Sequence, residues 1–271
     1  MWEIRVIDLG AVEIDASRTV QTGSPGRPVR VPVQSFLLLG PGGPVVVDTG
    51  FRDPAVLGRI GMRAFEEPWQ RLGAQLARYG VPPSDVTAVI QTHLHIDHAG
   101  QTDLFPMSVP VVLNRRELEY SVSGLSGASY PPEDVKHIID RLHAPGALRL
   151  LDLELTGGEV VLPGLRCVAA GGHTEGSLVI YVETADGLAC ICGDIVYDVR
   201  AQLCAPTLLA AEPVTSGNYV TTRRAERAAI KRVLNSGARM LYPSHDGPAR
   251  LEDGRATPLE APRPPGGGPA A

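Results

Sequence analysis

One stretch of nine residues, Thr92-His93-Leu94-His95-Ile96-Asp97-His98-Ala99-Gly100, constrains this chain more than any other. It places three imidazoles and one carboxylate within six positions. The apolar run before it is typical of a buried strand, so the polar cluster begins where a strand ends. A curved loop there can direct His93 and His95 to one point and the Asp97–His98 pair to a neighbouring point. Imidazole and carboxylate are ligands of zinc and similar first-row metals, so the spacing predicts a metal site rather than a polar surface turn.

The other histidines of the chain divide into two pairs. Of the seven histidines, His173 and His245 follow apolar runs and lie in predicted turns near glycine. His137 and His143 lie in a predicted helix and have no such context. The first pair supports the metal site, and the second pair is interpreted as ordinary.

The stretch resembles the metal-binding motif of the metallo-β-lactamase superfamily. The later elements occur in the family's order: Gly-Gly-His-Thr-Glu-Gly-Ser around His173, Cys-Gly-Asp at Asp194 and Pro-Ser-His-Asp around His245. The early run from Val45 to Gly50 also agrees. The resemblance covers about residues 30 to 248, and the chain is most similar to the N-acyl homoserine lactonases. It implies an α/β (α+β) fold, the αββα four-layer sandwich, in which two facing sheets lie between helices and the ligands lie along one edge.

The resemblance further implies two zinc ions per chain. The first ion would be held by His93, His95 and His173, the second by Asp97, His98 and His245, with Asp194 as the bridge. Two cations about 3.5 to 4 Å apart lower the pKa of a shared water and generate hydroxide near neutral pH. Asp48 would lie behind the ligands and orient one of them, with a simple turn cap as the other interpretation.

Two residues are predicted to act on the substrate. Asp97 can carry a proton to the leaving alkoxide as a general acid. Tyr197 stands three residues after Asp194, where a tyrosine of the homoserine lactonases faces the metals and donates to the substrate oxygen. A phenol is a good donor to a developing oxyanion, and a tyrosine whose hydroxyl lies at the rim is the alternative.

The chain departs from the family's pattern at two places. Gly171 and Glu175 replace prolines that are common around the ligand His173, and Glu175 is expected to be exposed rather than an acceptor near that ligand. Ile96 replaces an aromatic residue seen in some lactonases, which leaves the acyl-chain pocket open.

The predicted function is a dinuclear metal-dependent hydrolase of the quorum-quenching type. Attack of a metal-bound hydroxide would open a lactone, similar to an N-acyl homoserine lactone, or a related ester. The alternative is a thioester hydrolase similar to glyoxalase II, for which Arg250 and Arg255 are the only late basic candidates. A β-lactamase proper is less favoured because Asp194 stands at the bridging place. A flavodiiron-type relative is disfavoured by His95, and a non-catalytic module would be expected to have lost ligands.

Composition and charge limit the partners. A net charge of -5 disfavours nucleic acid, and no apolar run reaches the roughly 20 residues that span a bilayer. No signal peptide is evident, so a small-molecule substrate and a cytoplasmic location are expected, with a homodimer left open. The length predicts one domain over residues 1–250 and a Pro/Gly-rich tail over 251–271, disordered from about Pro262. Cys190 and Cys192 are interpreted as small buried residues, not as a metal pair.

Local patterns predict several elements near the site. A helix is predicted over residues 66–79 with Trp69, Leu72, Leu76 and Tyr79 in the core, and Asn114 is predicted to cap a helix. Residues 150–155 are interpreted as a strand. The loop over residues 16–30 is favoured as slack over a segment that reaches the site, whereas residues 121–150 suit a lid or a substrate wall.

Overall fold

The computed structural model describes residues 1–21, 23–204, 212–217, 220–253 and 255–259. In this part of the chain, the strands form two seven-stranded sheets. The strands of the first sheet are β1 (Glu3–Asp15), β2 (Pro28–Leu39), β3 (Val45–Val47), β4 (Arg63–Phe65), β5 (Ala88–Ile90), β6 (Val111–Asn114) and β7 (Leu148–Leu151). Those of the second sheet are β8 (Glu159–Leu162), β9 (Leu165–Ala169), β10 (Leu178–Thr184), β11 (Gly187–Gly193), β12 (Met240–Pro243), β13 (Ala249–Glu252) and β14 (Arg255–Pro258).

Strand order places the segments that carry the predicted ligands beside one another. The first sheet has the order β4-β1-β2-β3-β5-β6-β7, and the second has the order β14-β13-β12-β11-β10-β9-β8. Strands β3, β5, β6 and β7 pair in parallel, as do β11 and β12. Parallel neighbours end at the same edge of a sheet, so the loops that follow β3 and β5, and those that follow β11 and β12, emerge together.

Alternating side chains along the strands form the interior between the two sheets. On β10, Leu178, Ile180 and Val182 pack in the cluster shared with the first sheet. The intervening Val179 and Tyr181 belong to a separate cluster on the outer face of the second sheet. This period of two is the pattern expected of a strand with both faces covered.

Most helices cover the outer faces of the sheets, and Leu153 of the shortest helix packs in the interior cluster. The bounds of the helices are α1 (Pro54–Gly58), α2 (Leu72–Arg78), α3 (Arg115–Ser121), α4 (Pro132–Leu142), α5 (Leu153–Thr156) and α6 (Arg223–Leu234). Leu72 of α2 and Ile138 of α4 pack in the cluster outside the first sheet. Ile230 of α6 packs outside the second sheet with Cys190 and Cys192, which are buried as predicted. The αββα sandwich is therefore confirmed.

The helix predicted over residues 66–79 is wrong in its first half. Arg71 has φ -56° and ψ 136°, so the chain is extended there and α2 begins only at Leu72. Leu72 and Leu76 are buried, but Trp69 is 44% exposed and lies under the guanidinium of Arg78. The helical spacing was correct for the two leucines, and the aromatic ring lies outside the core.

Two further predictions of local structure are corrected. The strand predicted over residues 150–155 ends at Leu151 and is followed by the short helix α5, which Gly157 ends with φ 69°. Asn114 occupies the position before α3, but its side chain does not cap the helix. Its amide instead donates to Glu154 Oε1 at 2.8 Å and to the carbonyl of Gly176 at 3.1 Å.

The second sheet extends beyond the boundary predicted at residue 250. Strands β13 and β14 pair with each other, and β13 pairs with β12, so the chain up to Pro258 belongs to the sheet rather than to a tail. The disorder predicted from Pro262 lies outside the described residues, and the assignment of residues 1–250 to a single domain stays a prediction. No helix within the described ranges is long and apolar enough to cross a membrane.

Candidate metal centre

The predicted ligands lie in loops that follow strand ends at one edge of the sandwich. His93, His95, Asp97 and His98 follow β5 of the first sheet. On the second sheet, His173 lies in the loop after β9, Asp194 comes directly after β11, and His245 follows β12. The structure brings all of these side chains together, although they are separated by up to about 150 residues in sequence.

Three histidines form the first half of the cluster. His173 Nε2 lies 3.1 Å from His93 Nε2 and 3.1 Å from His95 Nδ1. All three side chains are buried. Burial lowers the pKa of His93 and His95 well below the ordinary histidine value, which favours the neutral imidazoles that metals bind. The three nitrogens therefore converge as one donor set.

Asp97, His98 and His245 form the second half. His98 Nε2 lies 3.8 Å from Asp97 Oδ1, and His245 Nε2 lies 3.6 Å from Asp97 Oδ2. The Asp97 side chain is 15% exposed, whereas that of His98 is 1% exposed. The Asp97 carboxylate therefore belongs to the cluster and is also partly exposed to solvent.

Asp194 lies between the two halves and presents one carboxylate oxygen to each. Its Oδ2 lies 3.9 Å from His93 Nε2 and 3.5 Å from His173 Nε2. Its Oδ1 lies 3.1 Å from His98 Nε2 and 3.3 Å from His245 Nε2. Burial alone would raise the pKa of this carboxyl, but the neighbouring histidines hold it well below the ordinary value. The geometry is that of a carboxylate that can bridge two cations.

The donor atoms fit a pair of first-row metal ions. His98 Nε2 and Asp194 Oδ1 are buried and make no hydrogen bond among the described residues. Buried polar atoms without a partner are costly and rare in folded proteins, so a bound cation is the natural partner for both. Five imidazoles and a shared carboxylate, with Asp97 at the rim, supply the nitrogen and oxygen donors that zinc accepts.

Asp48 fixes the orientation of one histidine from behind. Its Oδ2 lies 2.9 Å from His98 Nδ1 and accepts from Thr92 Oγ1 at 2.7 Å, while its Oδ1 accepts from the Thr92 amide at 2.7 Å. A proton on His98 Nδ1 leaves the lone pair of Nε2 directed at the cluster. The contact is that of an orienting residue, which was one of the two interpretations of Asp48 in the sequence.

Tyr197 lies against the cluster. Its hydroxyl donates to Asp194 Oδ2 at 2.5 Å, and its ring is stacked on that of His245 with centroids 5.0 Å apart. The side chain is 4% exposed. The hydroxyl therefore faces the predicted ligands and not the rim of the protein.

Comparison with known proteins agrees with this geometry. The family model described as the metallo-beta-lactamase superfamily matches residues 28–245. The chain belongs to the metallo-β-lactamase superfamily. It is 30% identical over 190 residues to an N-acyl homoserine lactonase of Bacillus cereus, a match that covers 66% of this chain and 69% of that protein.

Solved structures show the same fold. An N-acyl homoserine lactone hydrolase, determined with the product N-hexanoyl-L-homoserine at its catalytic metal center, has a TM-score of 0.71 at 22% identity. That comparison covers 89% of this chain and 92% of the other. AidC, described as a dizinc quorum-quenching lactonase, has a TM-score of 0.64 at 14% identity, with 97% and 96% of the two chains covered. These two proteins share the fold of this chain.

A buried acid that the sequence analysis missed joins two of the superfamily's ligand loops. Glu117 of α3 is fully buried, accepts from the Leu94 amide at 2.9 Å and from Thr174 Oγ1 at 2.6 Å, and also accepts from the Tyr130 hydroxyl at 2.9 Å. Gly176 packs so closely that a Cβ there would overlap the backbone of Glu117. The helical sequence around Glu117 gave no signal of this role, because its partners lie in other segments.

The two departures from the superfamily pattern have simple structural outcomes. Glu175 is exposed, as expected, and pairs with Arg116 at 2.5 Å. Gly171 adopts φ 67°, and His173 itself has φ 60°, a left-handed conformation that is uncommon for a residue with a side chain. Ile96 is buried, and its amide donates to the carbonyl of Ser129 at 2.9 Å.

A small cavity opens beside the metal centre. The loop over residues 16–30 and the segment over residues 121–150 both contribute to its lining. The cavity is lined by the residues Val12, Ile14, Arg18, Val31, Ile60, Met62, His95, Ile96, Asp97, Ser129, Tyr197 and His245. Arg18 comes from the loop over residues 16–30, so the interpretation of that loop as slack is wrong. Ser129 comes from the segment over residues 121–150, which therefore supplies a wall.

His137 lies on α4 and accepts from Arg141 Nε at 2.8 Å, away from the cluster.

Proposed function

We propose that this protein is a dizinc hydrolase that opens lactone rings, with N-acyl homoserine lactones as the substrate class. The position of Asp194 carries the proposal. One of its carboxylate oxygens faces His98 and the other faces His173, and the second oxygen also accepts from the Tyr197 hydroxyl at 2.5 Å. The names of the relatives and of the structural neighbours support the reaction class.

The chain offers two sets of ligands for the ions. His93, His95 and His173 would hold one ion, Asp97, His98 and His245 the other, and Asp194 would contribute to both. When bound, such a pair supplies hydroxide near neutral pH and polarises the substrate carbonyl. Asp48 and the carbonyl of Pro32, which lies 2.7 Å from His245 Nδ1, would hold two imidazoles in the required orientation.

Two side chains would act on the lactone itself. The Tyr197 hydroxyl would move from Asp194 to the carbonyl oxygen as negative charge develops there, which lowers the barrier by donation to the oxyanion. Asp97 is the more accessible acid, with a side chain 15% exposed against 2% for Asp194. It would carry the proton from the nucleophile to the ring oxygen as the C–O bond breaks.

The cavity favours a substrate with an apolar substituent. Val12, Ile14 and Val31 line it from β1 and β2, and Ile60 and Met62 line it from the loop after α1. Burial of an acyl chain against such walls contributes about 25 cal/mol per Å² of apolar surface. The homoserine lactone ring would then lie at the metal end.

The two basic candidates of the thioester alternative lie away from the metal centre. Arg250 and Arg255, its basic candidates, lie on β13 and β14 at the outer edge of the second sheet. Neither residue lines the cavity beside the metal centre. A glutathione-like carboxylate bound in this cavity would therefore contact neither Arg250 nor Arg255.

The direct test is a substrate panel with the metal-replete protein. We expect kcat/KM to be highest for N-acyl homoserine lactones, lower for simple thioesters and negligible for β-lactams. Equal or better turnover of thioesters would reject the lactonase assignment in favour of a thioesterase. A cytoplasmic location, the exclusion of nucleic-acid and membrane partners, and a homodimer stay predictions from the sequence.

A further inference from the structure

Among the described residues, the cavity beside the metal centre is lined by one arginine, Arg18. Arg18 lines the cavity beside Asp97 and Tyr197 and is half-buried. Within the described part of the chain, its guanidinium makes no hydrogen bond and no ion pair. A half-buried guanidinium normally binds a carboxylate or other oxygen acceptor, because it presents five donors and stays charged. Its donors are therefore available to a ligand in the cavity.

The turn that carries Arg18 is held in place from within. Residues Ala16–Arg18 form a single helical turn capped by Asp15, whose Oδ1 accepts from the Ser17 amide at 2.8 Å and from Ser17 Oγ at 2.6 Å. Asp15 Oδ2 accepts from the Gly26 amide at 2.6 Å. Both oxygens of this acid thus accept hydrogen bonds from the turn itself, and Asp15 acts on Arg18 only through its charge, without a hydrogen bond to the guanidinium.

The same turn is also held from outside. The Gly217 amide donates to the carbonyl of Thr19 at 2.9 Å, and a Cβ on Gly217 would overlap the carbonyl of Ser17. Ala16 is fully buried, and its amide donates to the carbonyl of Arg27 at 2.7 Å. The backbone of Arg18 is therefore positioned before any ligand arrives, which reduces the ordering cost of binding.

The surroundings of Arg18 define what it can bind. The side chains of Ile14, Val31, Ile60 and Met62 that share the cavity are aliphatic, and the acid among the lining residues, Asp97, belongs to the metal cluster. Away from the metal cluster, a substituent that enters the cavity meets these apolar residues, Ser129 and the Arg18 guanidinium, which is the cationic group of the lining. An oxygen on that substituent can accept a charge-assisted hydrogen bond, whereas a plain alkyl group cannot.

We propose that Arg18 is a specificity-determining residue that donates to a carbonyl or carboxylate oxygen on the substituent of the lactone. This inference rests on the proposed lactone hydrolysis and narrows its substrate class to lactones with an oxygen-bearing substituent. Arg18 is not a metal ligand, and it binds the group beside the ring rather than the ring carbonyl.

The experiment compares Arg18→Met and Arg18→Lys with the parent protein on three lactones. N-hexanoyl-homoserine lactone carries a neutral amide carbonyl, a hexyl-substituted γ-butyrolactone carries no oxygen, and a lactone with a carboxylate on its substituent carries an anion. We expect Arg18→Met to lose about 10- to 100-fold in kcat/KM on the two oxygen-bearing lactones, mainly through KM, and less than about 2-fold on the alkyl lactone. The lactone on which Arg18→Met loses more kcat/KM carries the acceptor that Arg18 prefers, either the neutral carbonyl or the carboxylate. Arg18→Lys should retain part of the kcat/KM on that lactone.

The matched control is Arg27→Met, which removes an exposed arginine from the same loop and should change none of the rates. Metal content and the thermal midpoint should be unchanged in both methionine variants. Equal losses on all three lactones, or no loss on any, would overturn the role of Arg18 while the parent protein still opens lactones. A parent protein that opens no lactone would instead reject the proposed function, and this inference with it.

Discussion

Each histidine of the cluster uses one ring nitrogen toward the centre, and in His93, His98 and His245 the other nitrogen contacts the protein. His98 Nδ1 faces Asp48, and His245 Nδ1 faces the carbonyl of Pro32. Contacts of this kind fix the tautomer and orient the free lone pair. The chemistry of the site therefore depends on single atoms, and the sharpest predictions concern single side-chain groups.

Tyr197→Phe keeps the ring that stacks on His245 and removes only the hydroxyl. Loss of one donor to an oxyanion costs on the order of 10- to 1,000-fold in rate, with the lower end expected because a metal ion shares the oxygen. The loss should be clear in kcat/KM on lactones and small on thioesters, whose thiolate leaves with less help. Metal content, measured in parallel, should not change. Unchanged rates on every lactone would remove Tyr197 from the mechanism.

Asp194→Asn tests the bridge between the two halves of the cluster. An amide supplies one neutral oxygen in place of the two charged oxygens that face His173 and His98. We expect weaker binding of at least one ion and a turnover lower by orders of magnitude, since the bridge sets the spacing of the metals. Elemental analysis and rate measurements on the same sample check both. Full metal content together with a normal rate would contradict the bridging role.

At the scale of elements, α3 holds two ligand loops together through Glu117. The carboxylate accepts from the Leu94 amide in the first loop and from Thr174 in the loop that carries His173. Burial raises the pKa of this carboxyl, and the hydrogen bonds from Thr174 and Leu94 counteract that effect. Glu117 is thus a positioning residue that touches neither the substrate nor the predicted ions.

Glu117→Gln should therefore disturb the site without removing a ligand. The amide nitrogen would oppose a backbone donor, so we expect a 10- to 100-fold loss, to order of magnitude, in metal affinity or in kcat with KM little changed. The measurements are metal dissociation constants and steady-state rates. Glu119→Gln on the exposed side of the same helix is the control and should behave as the parent protein. Equal behaviour of the two variants would show that Glu117 only fills space.

Sequence patterns predicted the elements whose signal is local. Leu72 and Leu76 lie in the core as their helical spacing predicts, and the ligand loops follow apolar runs as expected. Strands β13 and β14 were missed because an edge strand is defined by its pairing partner more than by its own periodicity. Arg18 and Glu117 were missed for a related reason: their roles arise where distant segments meet. His173 kept its predicted place, but its left-handed backbone was not visible in the sequence.

At the scale of the whole molecule, the metal centre joins the two sheets. His93 to His98 emerge from the first sheet, whereas Asp194 and His245 emerge from the second. Ions bound across this edge interact with the folded state and not with the separated loops, so they should stabilise the sandwich. At a metal concentration about 100 times the dissociation constant, this linkage contributes about 2.7 kcal/mol, or roughly 5 to 10 °C in Tm.

Removal of metal with a chelator should therefore lower Tm by that amount, and added zinc should restore it. Thermal unfolding followed by circular dichroism checks the shift. Asp194→Asn should show a smaller shift between the chelated and the zinc-loaded states. Identical unfolding curves with and without metal would contradict the link between the two sheets.

The measurement that tests the account most directly is a zinc titration of the chelated protein, followed by the rate of lactone opening. The two ligand sets share Asp194, and neither set alone both generates the nucleophile and positions the carbonyl. We predict that activity on N-hexanoyl-homoserine lactone is absent without metal, rises with added zinc and reaches its plateau near two equivalents per chain. Full activity in the chelated protein, a plateau at one equivalent, or no lactone opening at any zinc concentration would contradict the dinuclear lactonase.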